Sequence, residues 1–188
     1  MNVIQTSIPE VLIIEPKVFY DPRGYFMESF SLKLFEEKVC NTSFVQDNES
    51  KSSYGVLRGL HYQLPPFAQS KLVRVVHGRV LDVAVDIRRG SPTFGKYVSA
   101  ELTDSNKLMM FIPRGFAHGF VVLSEECLFQ YKCDSYYSPE SEASIKWDDP
   151  AINIDWRIPE ADILLSERDK KHPTLKQAKL IDYNTKLY

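Results

Sequence analysis

The sequence predicts a mainly β protein, one domain of antiparallel strands that form a sandwich, jelly roll or barrel, with short helices at its periphery. Its 188 residues match the usual size of one domain. Most of the middle of the chain alternates between apolar and polar residues, which is the period of a strand with one packed face. Turn signals rich in Gly, Pro, Asp and Asn separate these short segments, as in β-barrels and jelly rolls.

The strands are predicted wherever such alternation lies between two turns. The clearest example is a hairpin from Val73 to Ile87 that turns at His77-Gly78. In its second half Leu81 and Val83 are expected on a packed face, with Asp82 and Asp86 on the polar face. The other predicted strands are Val11–Tyr20, Tyr25–Phe30, Val56–Tyr62, Lys96–Leu102, Lys107–Ile112, Phe116–Leu123 and Cys127–Lys132.

Helices are predicted only near the ends of the chain. The segment Ser31–Val39 has the pattern of a short amphipathic helix. Thr174 followed by Gln177 resembles a capping box. The sequence therefore predicts a helical C-terminal tail that begins at about residue 166.

Composition and charge exclude several classes of protein. A net charge of -2 provides no global field for nucleic acid, and no apolar run is long enough to span a bilayer. The N-terminal residues lack the features of a signal peptide, so we expect a cytoplasmic protein. Cys40, Cys127 and Cys133 are an odd number without a CxxC motif, which predicts neither a disulfide framework nor a zinc knuckle.

Two of the four histidines have a sequence context that suggests a site. His77 is expected in a turn and His172 in solvent, whereas His61 and His118 lie in strand-like segments beside glycines. Each of these two could equally be a core histidine that makes one hydrogen bond. Gly55-x5-His61 resembles the first half of the cupin metal pattern, G-x5-H-x-H-x3-4-E-x6-G, and Pro113-x-Gly115-x-x-His118 resembles its second half.

The sequence departs from this pattern at two ligand positions. Gln63 replaces the second histidine, and Lys71 replaces the acidic residue. Two neutral imidazoles beside an ammonium are a poor site for a divalent ion. The sequence therefore predicts a cupin-type jelly-roll barrel, also called a double-stranded β-helix, that has no metal.

A series of short motifs in order along the chain resembles the dTDP-4-dehydrorhamnose 3,5-epimerase family. The resemblance extends from about residue 10 to about residue 170, and any one of the motifs alone would be weak evidence. The motifs are DPRG (21–24), QDN (46–48), GVLRGLH (55–61), DIR (86–88), GSPTFG (90–95), AHGF (117–120), YKC (131–133), YY (136–137), WDDP (147–150), IDW (154–156) and LSERD (165–169).

This resemblance implies an isomerase that needs no cofactor. Its substrate would be dTDP-4-keto-6-deoxy-D-glucose, whose C3 and C5 hydrogens are both α to the C4 ketone. Removal of each proton and its return on the opposite face would give dTDP-4-keto-L-rhamnose, a step in dTDP-L-rhamnose biosynthesis. The alternatives are a single-centre epimerase or ketoisomerase on a related dTDP-4-keto sugar, a metal-dependent cupin enzyme, and a non-catalytic binder of sugar nucleotides.

The resemblance also implies the catalytic residues. His61 matches the family's base, Asp169 its partner, Tyr131 the acid, and Lys71 a cation for the enolate oxygen. Each has a simpler structural explanation. Asp169 could close a capping box with Ser166, Tyr131 could be a core residue, and Lys71 could lie at a strand edge with its ammonium in water.

The remaining matched positions would bind the nucleotide and sugar. Arg58 and His61 would face opposite sides of a regular strand, and a bulge at Gly59 is one way to bring them together. Arg168 stands where the family often has lysine, and Tyr137 matches an aromatic residue that stacks on thymine. The implied binding residues are Arg23, Glu28, Gln46, Asp47, Asn48, Arg58, His118, Tyr137, Glu142 and Arg168.

The expected partners are the dTDP-sugar and a second copy of the chain, without nucleic acid, membrane or metal. The family resemblance implies a homodimer in which N-terminal strands cross to the partner's sheet. The apolar run Val11–Ile14 is consistent with a covered sheet edge. In such a dimer Arg23 and Glu28 could serve the neighbouring active site.

Overall fold

Two antiparallel sheets face each other in the computed structural model, which describes residues 1–188. One short α-helix, α1 (Leu32–Lys38), precedes most of the strands. The strands are β1 (Asn2–Gln5), β2 (Leu12–Glu15), β3 (Val18–Asp21), β4 (Gly24–Met27), β5 (Gln46–Ser53), β6 (Leu57–Gln63), β7 (Lys71–His77), β8 (Arg79–Asp86), β9 (Arg88–Arg89), β10 (Tyr97–Thr103), β11 (Met109–Ile112), β12 (Phe116–Val122), β13 (Glu126–Cys133), β14 (Glu142–Ser144) and β15 (Ile181–Asp182).

The strand order is that of a jelly-roll barrel, which confirms the predicted fold class. The first sheet has six strands in the order β1-β2-β11-β7-β13-β5, and the second has five in the order β10-β8-β12-β6-β14. From β5 to β8 and from β10 to β14, successive strands alternate between the two sheets. Because β7 and β8 therefore do not pair, the predicted hairpin from Val73 to Ile87 is wrong. None of the helices is long and apolar enough to cross a membrane.

Apolar side chains fill one end of the space between the two sheets. Val73 and Phe129 from the six-stranded sheet pack there with Ala84 and Phe120 from the five-stranded sheet. The rings of Phe120 and Phe129 stack with their centroids 4.1 Å apart. This core closes one end of the barrel and leaves the other end for a cavity.

The outer faces of the two sheets are covered by different parts of the chain. Phe35 of α1 packs on the six-stranded sheet, and the predicted helix is confirmed, with Ser31 as its N-cap. Trp156 and Ile181 of the C-terminal segment cover the five-stranded sheet. Both faces of each sheet are therefore packed, and strands at their centre are apolar on both sides.

Because both faces of the five-stranded sheet are packed, the polar face predicted for β8 is not exposed. Leu81 and Val83 of β8 face the C-terminal segment as a packed face should. Asp82 and Asp86 do not face solvent but are fully buried. Asp86 accepts hydrogen bonds from Arg88, Ser91 and Thr93, so its burial is compensated.

The predicted helical C-terminal tail is wrong. Gln177 does cap Thr174, whose backbone N–H and hydroxyl both donate to the Gln177 side chain. A single turn follows, and the chain then continues to β15, which pairs in parallel with β9. The only helical structure after residue 166 is the 3₁₀ turn Asp169–Lys171.

The hairpin of β3 and β4 makes no sheet contact with the rest of the chain. Its four aromatic residues Phe19, Tyr20, Tyr25 and Phe26 are all exposed, the last of them by 70%. By contrast, the run Val11–Ile14 is buried, and β2 pairs with β11.

Candidate active site

The open end of the barrel contains a cavity of about 640 Å³. Its walls come from strands of both sheets and from the segment 164–169. Eight residues predicted from the sequence line it: Asn48, Arg58, His61, Lys71, His118, Tyr131, Arg168 and Asp169.

A bulge in β6 brings Arg58 and His61 into the same cavity. Opposite β6, Phe120 of β12 pairs with Arg58 and His118 pairs with His61, so three steps along β6 match two along β12. The extra residue reverses the alternation, and both side chains face inward. Gly59, at the bulge, has φ +146°, and a Cβ there would lie 2.6 Å from the Cα of Gly119.

His61 is held by Asp169 on the wall formed by the five-stranded sheet. The His61 Nε2 atom lies 2.8 Å from a carboxylate oxygen of Asp169. The Asp169 side chain is only 6% exposed. Burial opposes the ionisation of Asp169, but the hydrogen bond and charge of His61 outweigh it and lower the pKa of the carboxyl. With its proton on Nε2, the imidazole keeps the lone pair of Nδ1 free.

The opposite wall, formed by the six-stranded sheet, contributes Tyr131 and Lys71. Tyr131 lies on β13 and Lys71 begins β7, with the ammonium 5.9 Å from the centroid of the phenol ring. Burial raises the pKa of Tyr131, so the phenol stays protonated. Burial lowers the pKa of Lys71, although Cys133, Asp82 and Glu142 partly oppose that shift.

His118 also lines the cavity, and it is paired with Asp82, which was predicted on the polar face of its strand. Its Nε2 atom is 2.9 and 3.0 Å from the two carboxylate oxygens of Asp82, and both side chains are buried. Burial raises the pKa of Asp82, although the neighbouring His118 opposes this shift. A carboxylate within an otherwise apolar strand was the sequence signal for this pair.

His172 is buried rather than solvated, so that expectation is wrong. It follows the 3₁₀ turn that carries Asp169, and its ring lies edge-on to His61 with the centroids 5.3 Å apart. Its flanking lysines and proline gave no sign of this position, because the turn that folds it inward depends on tertiary contacts.

Polar residues at the mouth form a small network. Arg168 and Tyr137 both contact the same carboxylate oxygen of Glu142, at 2.5 and 2.6 Å. Glu142, Tyr137 and Gln46 line an adjoining compartment of about 280 Å³, which also contacts His61 and Tyr131. The compartment adjoins the main cavity, because Asn48, His61, Lys71 and Tyr131 line both.

Three of the predicted binding residues do not line either of these spaces. Arg23 is paired with Asp21 at 2.6 Å on the exposed β3–β4 hairpin. Glu28 lies in a groove beside α1. Asp47 is paired with Lys132 at 2.7 Å, in a neighbouring groove. The chain described here does not bring these residues to its own His61.

Gln63, which stands where the cupin pattern has its second histidine, makes hydrogen bonds to the backbone instead. The amide of Gln63 donates to the carbonyl oxygens of Phe67 and Tyr136 and accepts from the backbone of Ser138, so it supports a loop. An imidazole nitrogen of His61, one of His172 and a carboxylate oxygen of Asp169 do lie within 4.8 Å of one another, although the three residues do not belong to the cupin pattern.

A jelly-roll barrel that presents an imidazole–carboxylate pair, a phenol and a buried ammonium to one cavity defines an enzyme of the cupin type that is built for proton transfer. The match of a family model refines this class. The model described as dTDP-4-dehydrorhamnose 3,5-epimerase matches residues 5–177, and the chain belongs to that family.

Close relatives share nearly the whole length of the chain. The dTDP-4-dehydrorhamnose 3,5-epimerase of Shigella flexneri is 61% identical over 170 residues, which cover 90% of this chain and 93% of the relative. The crystal structure of the enzyme of the same name from Elizabethkingia anophelis is 56% identical, with a TM-score of 0.90 and coverage of 94% and 97%. The dTDP-6-deoxy-D-glucose-3,5-epimerase of Legionella pneumophila, solved with dTDP-4-keto-L-rhamnose, is 50% identical, with a TM-score of 0.94 and coverage of 98% and 99%.

Proposed function

We propose that this chain is an isomerase that converts dTDP-4-keto-6-deoxy-D-glucose to dTDP-4-keto-L-rhamnose by inverting C3 and C5, in dTDP-L-rhamnose biosynthesis. Family membership supports the reaction and the substrate. The single observation that carries the mechanism is the placement of His61 and Tyr131 in one cavity on opposite walls.

His61 is the proposed base. The hydrogens on C3 and C5 are acidic because the C4 ketone stabilises the resulting enolate. The hydrogen bond between Nε2 and Asp169 leaves Nδ1 to take the proton, and the carboxylate stabilises the imidazolium that forms. This division of roles between the two nitrogens also fixes the orientation of the ring.

Tyr131 is the proposed acid. An inversion requires that the proton return on the face opposite to the one from which it left. Tyr131 comes from the six-stranded sheet and His61 from the five-stranded sheet, so a sugar ring between them would have one group on each face. The raised pKa of Tyr131 keeps its proton available at neutral pH.

Lys71 is the proposed partner of the enolate oxygen. A cation that is already in place within a buried site stabilises the developing charge without reorganisation. Lys71 shares the cavity with both His61 and Tyr131, and it has no hydrogen-bonded carboxylate partner that would compete for its charge. His118, held by Asp82, is the proposed contact for a sugar hydroxyl.

The nucleotide is proposed to bind toward the mouth. Arg58 and Arg168 carry guanidinium groups suited to the diphosphate, and Tyr137 offers a ring for stacking on thymine. Gln46, Asn48 and Glu142 would supply polar contacts. The bond between Arg168 and Glu142 would have to open, or be shared, when the diphosphate enters.

We further propose a homodimer in which Arg23, Glu28 and Asp47 lie near the boundary between the subunits and complete the active site there. The exposed aromatic residues of the β3–β4 hairpin support a covering partner, because a monomer seldom exposes four aromatic side chains on one hairpin. Arg23 does not line the cavity of its own chain, which supports a role for it in the cavity of the partner subunit.

The direct test is incubation of the enzyme with dTDP-4-keto-6-deoxy-D-glucose in heavy water, followed by NMR. We expect dTDP-4-keto-L-rhamnose with deuterium at both C3 and C5. Deuterium at one carbon only would identify a single-centre epimerase. Migration of the keto group would identify a ketoisomerase, and binding without exchange would identify a binding protein.

A further inference from the structure

His172 completes a three-residue cluster with the proposed catalytic pair. Its side chain is only 5% exposed, and its Nε2 atom lies 3.5 Å from the same carboxylate oxygen of Asp169 that holds His61. Neither ring nitrogen of His172 makes a hydrogen bond of standard geometry, although the backbone of Gly59 lies within weaker hydrogen-bonding reach of the ring. A buried imidazole nitrogen without a well-formed hydrogen bond is costly, and its place beside a carboxylate suggests that the ring is positioned for a ligand.

The three side chains have the chemistry and spacing of a transition-metal site. Two imidazole nitrogens and one carboxylate oxygen are common zinc ligands. Bonds of about 2.0–2.1 Å in a tetrahedral site place the ligand atoms about 3.3 Å apart. The separations from Asp169 to His61 and to His172 are 2.8 and 3.5 Å, and all three ligand atoms lie within 4.8 Å of one another. Small side-chain shifts would bring them to that geometry.

We propose that His61, Asp169 and His172 bind a divalent transition metal such as Zn²⁺, and that the bound metal reversibly inhibits the enzyme. The site is distinct from the cupin metal pattern, whose second histidine and acidic residue are replaced here by Gln63 and Lys71. It also differs in effect, because the metal would be an inhibitor and not a cofactor.

Inhibition follows from the proton balance on the imidazole of His61. In the free enzyme the ring proton lies on Nε2, toward Asp169, and Nδ1 has the free lone pair. A metal bound to the Nε2 lone pair displaces that proton, and a neutral ring must then carry its one proton on Nδ1. The proposed base has then lost the lone pair that accepts the proton of the sugar. This consequence rests on the proposed function, whereas the binding of the metal does not.

Access and charge are compatible with metal binding. The His61 side chain is 31% exposed and faces the cavity, which gives a metal ion an entry path. The charge of Arg168 is directed to Glu142 instead of Asp169. A water or a substrate oxygen could occupy a fourth position.

The test uses chelator-treated enzyme titrated with Co²⁺ and, separately, with Zn²⁺. We expect one Co²⁺ per chain with the visible absorption bands of tetrahedral coordination. We also expect Zn²⁺ to inhibit epimerisation until EDTA is added. His172→Ala should weaken both effects at least about tenfold, since loss of even an outer-shell partner costs roughly 10–100-fold in affinity. His77→Ala is the matched control, because His77 lies 3.5 Å from Asp104 but has no third ligand.

Three results would overturn the proposal. The first is the absence of tetrahedral Co²⁺ bands in the wild-type protein, and the second is equal inhibition of the wild type and His172→Ala by Zn²⁺. The third is a loss of Co²⁺ binding and Zn²⁺ inhibition in His77→Ala as large as that in His172→Ala. His172→Gln, which retains most of the side-chain volume, replaces His172→Ala if the latter does not fold. If the protein binds Co²⁺ but has no epimerase activity, the proposed function alone is refuted. If the protein is an active epimerase that binds no Co²⁺ and is not inhibited by Zn²⁺, the metal site alone is refuted.

Discussion

Asp169 takes part in a local turn and in a tertiary contact at the same time. Its spacing from Ser166 predicts a capping box, and half of that box forms, because the Asp169 backbone N–H donates to the Ser166 hydroxyl at 3.1 Å. The carboxylate does not return to the Ser166 backbone as a capping box requires. It turns to His61, so the local turn positions the carboxylate and the tertiary structure supplies its partner.

Lys71 leads to a prediction about alkaline pH. An ordinary lysine has a pKa of about 10.4, and burial lowers the pKa of Lys71. In the proposed mechanism only the protonated amine stabilises the enolate. The turnover number should therefore fall as pH rises through the lowered pKa, while Tyr131, whose pKa is raised by burial, still holds its proton. The measurement is kcat as a function of pH.

Replacement of Lys71 by methionine tests the same role of the ammonium without a change of pH. Lys71→Met should lower kcat by about 10²–10³-fold, the usual cost of removing one group that stabilises an oxyanion. Lys51→Met is the control, because Lys51 forms an exposed ion pair with Glu126 away from the cavity. A wild-type profile flat to pH ~10.4, or a Lys71→Met variant with undiminished kcat, would contradict the assignment.

At the scale of elements, β6 gains its function from one irregularity. The extra residue at Gly59 brings Arg58 and His61 into the same cavity. Gly59→Ala should lower the free energy of unfolding by more than the roughly 1–3 kcal/mol of an unfavourable backbone conformation, because its Cβ would also meet β12 at 2.6 Å. Urea denaturation measures this cost.

A second glycine separates the two contributions. Gly90 also has a positive φ, +88°, but the nearest heavy atom to a Cβ there is 4.0 Å away. Gly90→Ala should therefore cost only the backbone strain, and Gly59→Ala should cost more and also lower kcat. Equal losses of stability at the two positions would show that the close approach of β6 and β12 is unimportant.

The alternation of residues predicted most of the strands, and its errors have physical causes. β5 was not predicted, because its sequence QDNESKSS has few β-forming residues, and pairing with β13 supplies what propensity does not. In β8 the pattern placed Asp82 on one face correctly, but a barrel interior and solvent produce the same polar face. Sequence alone does not distinguish them.

The site was predictable to the extent that its motifs are local or shared with the family. The eight predicted residues that line the cavity come from five strands and one turn. His172 was missed because its burial depends on the fold of the C-terminal segment. That segment was expected to be helical, and packing against the five-stranded sheet together with the β9–β15 pairing instead keeps it largely extended.

At the scale of the whole molecule, the exposed hairpin predicts a dimer. Light scattering coupled to gel filtration should give twice the 21.7 kDa of one chain. Tyr20→Lys with Phe26→Lys, at side chains 71% and 70% exposed, should yield monomers that remain folded. A wild-type protein that elutes as a monomer at micromolar concentration would contradict the prediction.

Mixed dimers test whether the subunits share their sites. Arg23→Ala and His61→Ala homodimers should both have low activity. After the two are unfolded and refolded together, heterodimers should regain activity, because one cavity then combines an intact His61 with the Arg23 of its neighbour. A mixture no more active than its components would place Arg23 outside the active site.

Proton exchange by two variants tests the central claim, that a base and an acid lie on opposite faces of the sugar. In heavy water His61→Asn should lose deuterium exchange and product formation together, by about 10²–10⁴-fold. Tyr131→Phe should still exchange deuterium into recovered substrate but form little inverted product, whereas Tyr54→Phe, outside the cavity, should behave as wild type. Exchange that survives in His61→Asn, or normal inversion by Tyr131→Phe, would contradict the mechanism.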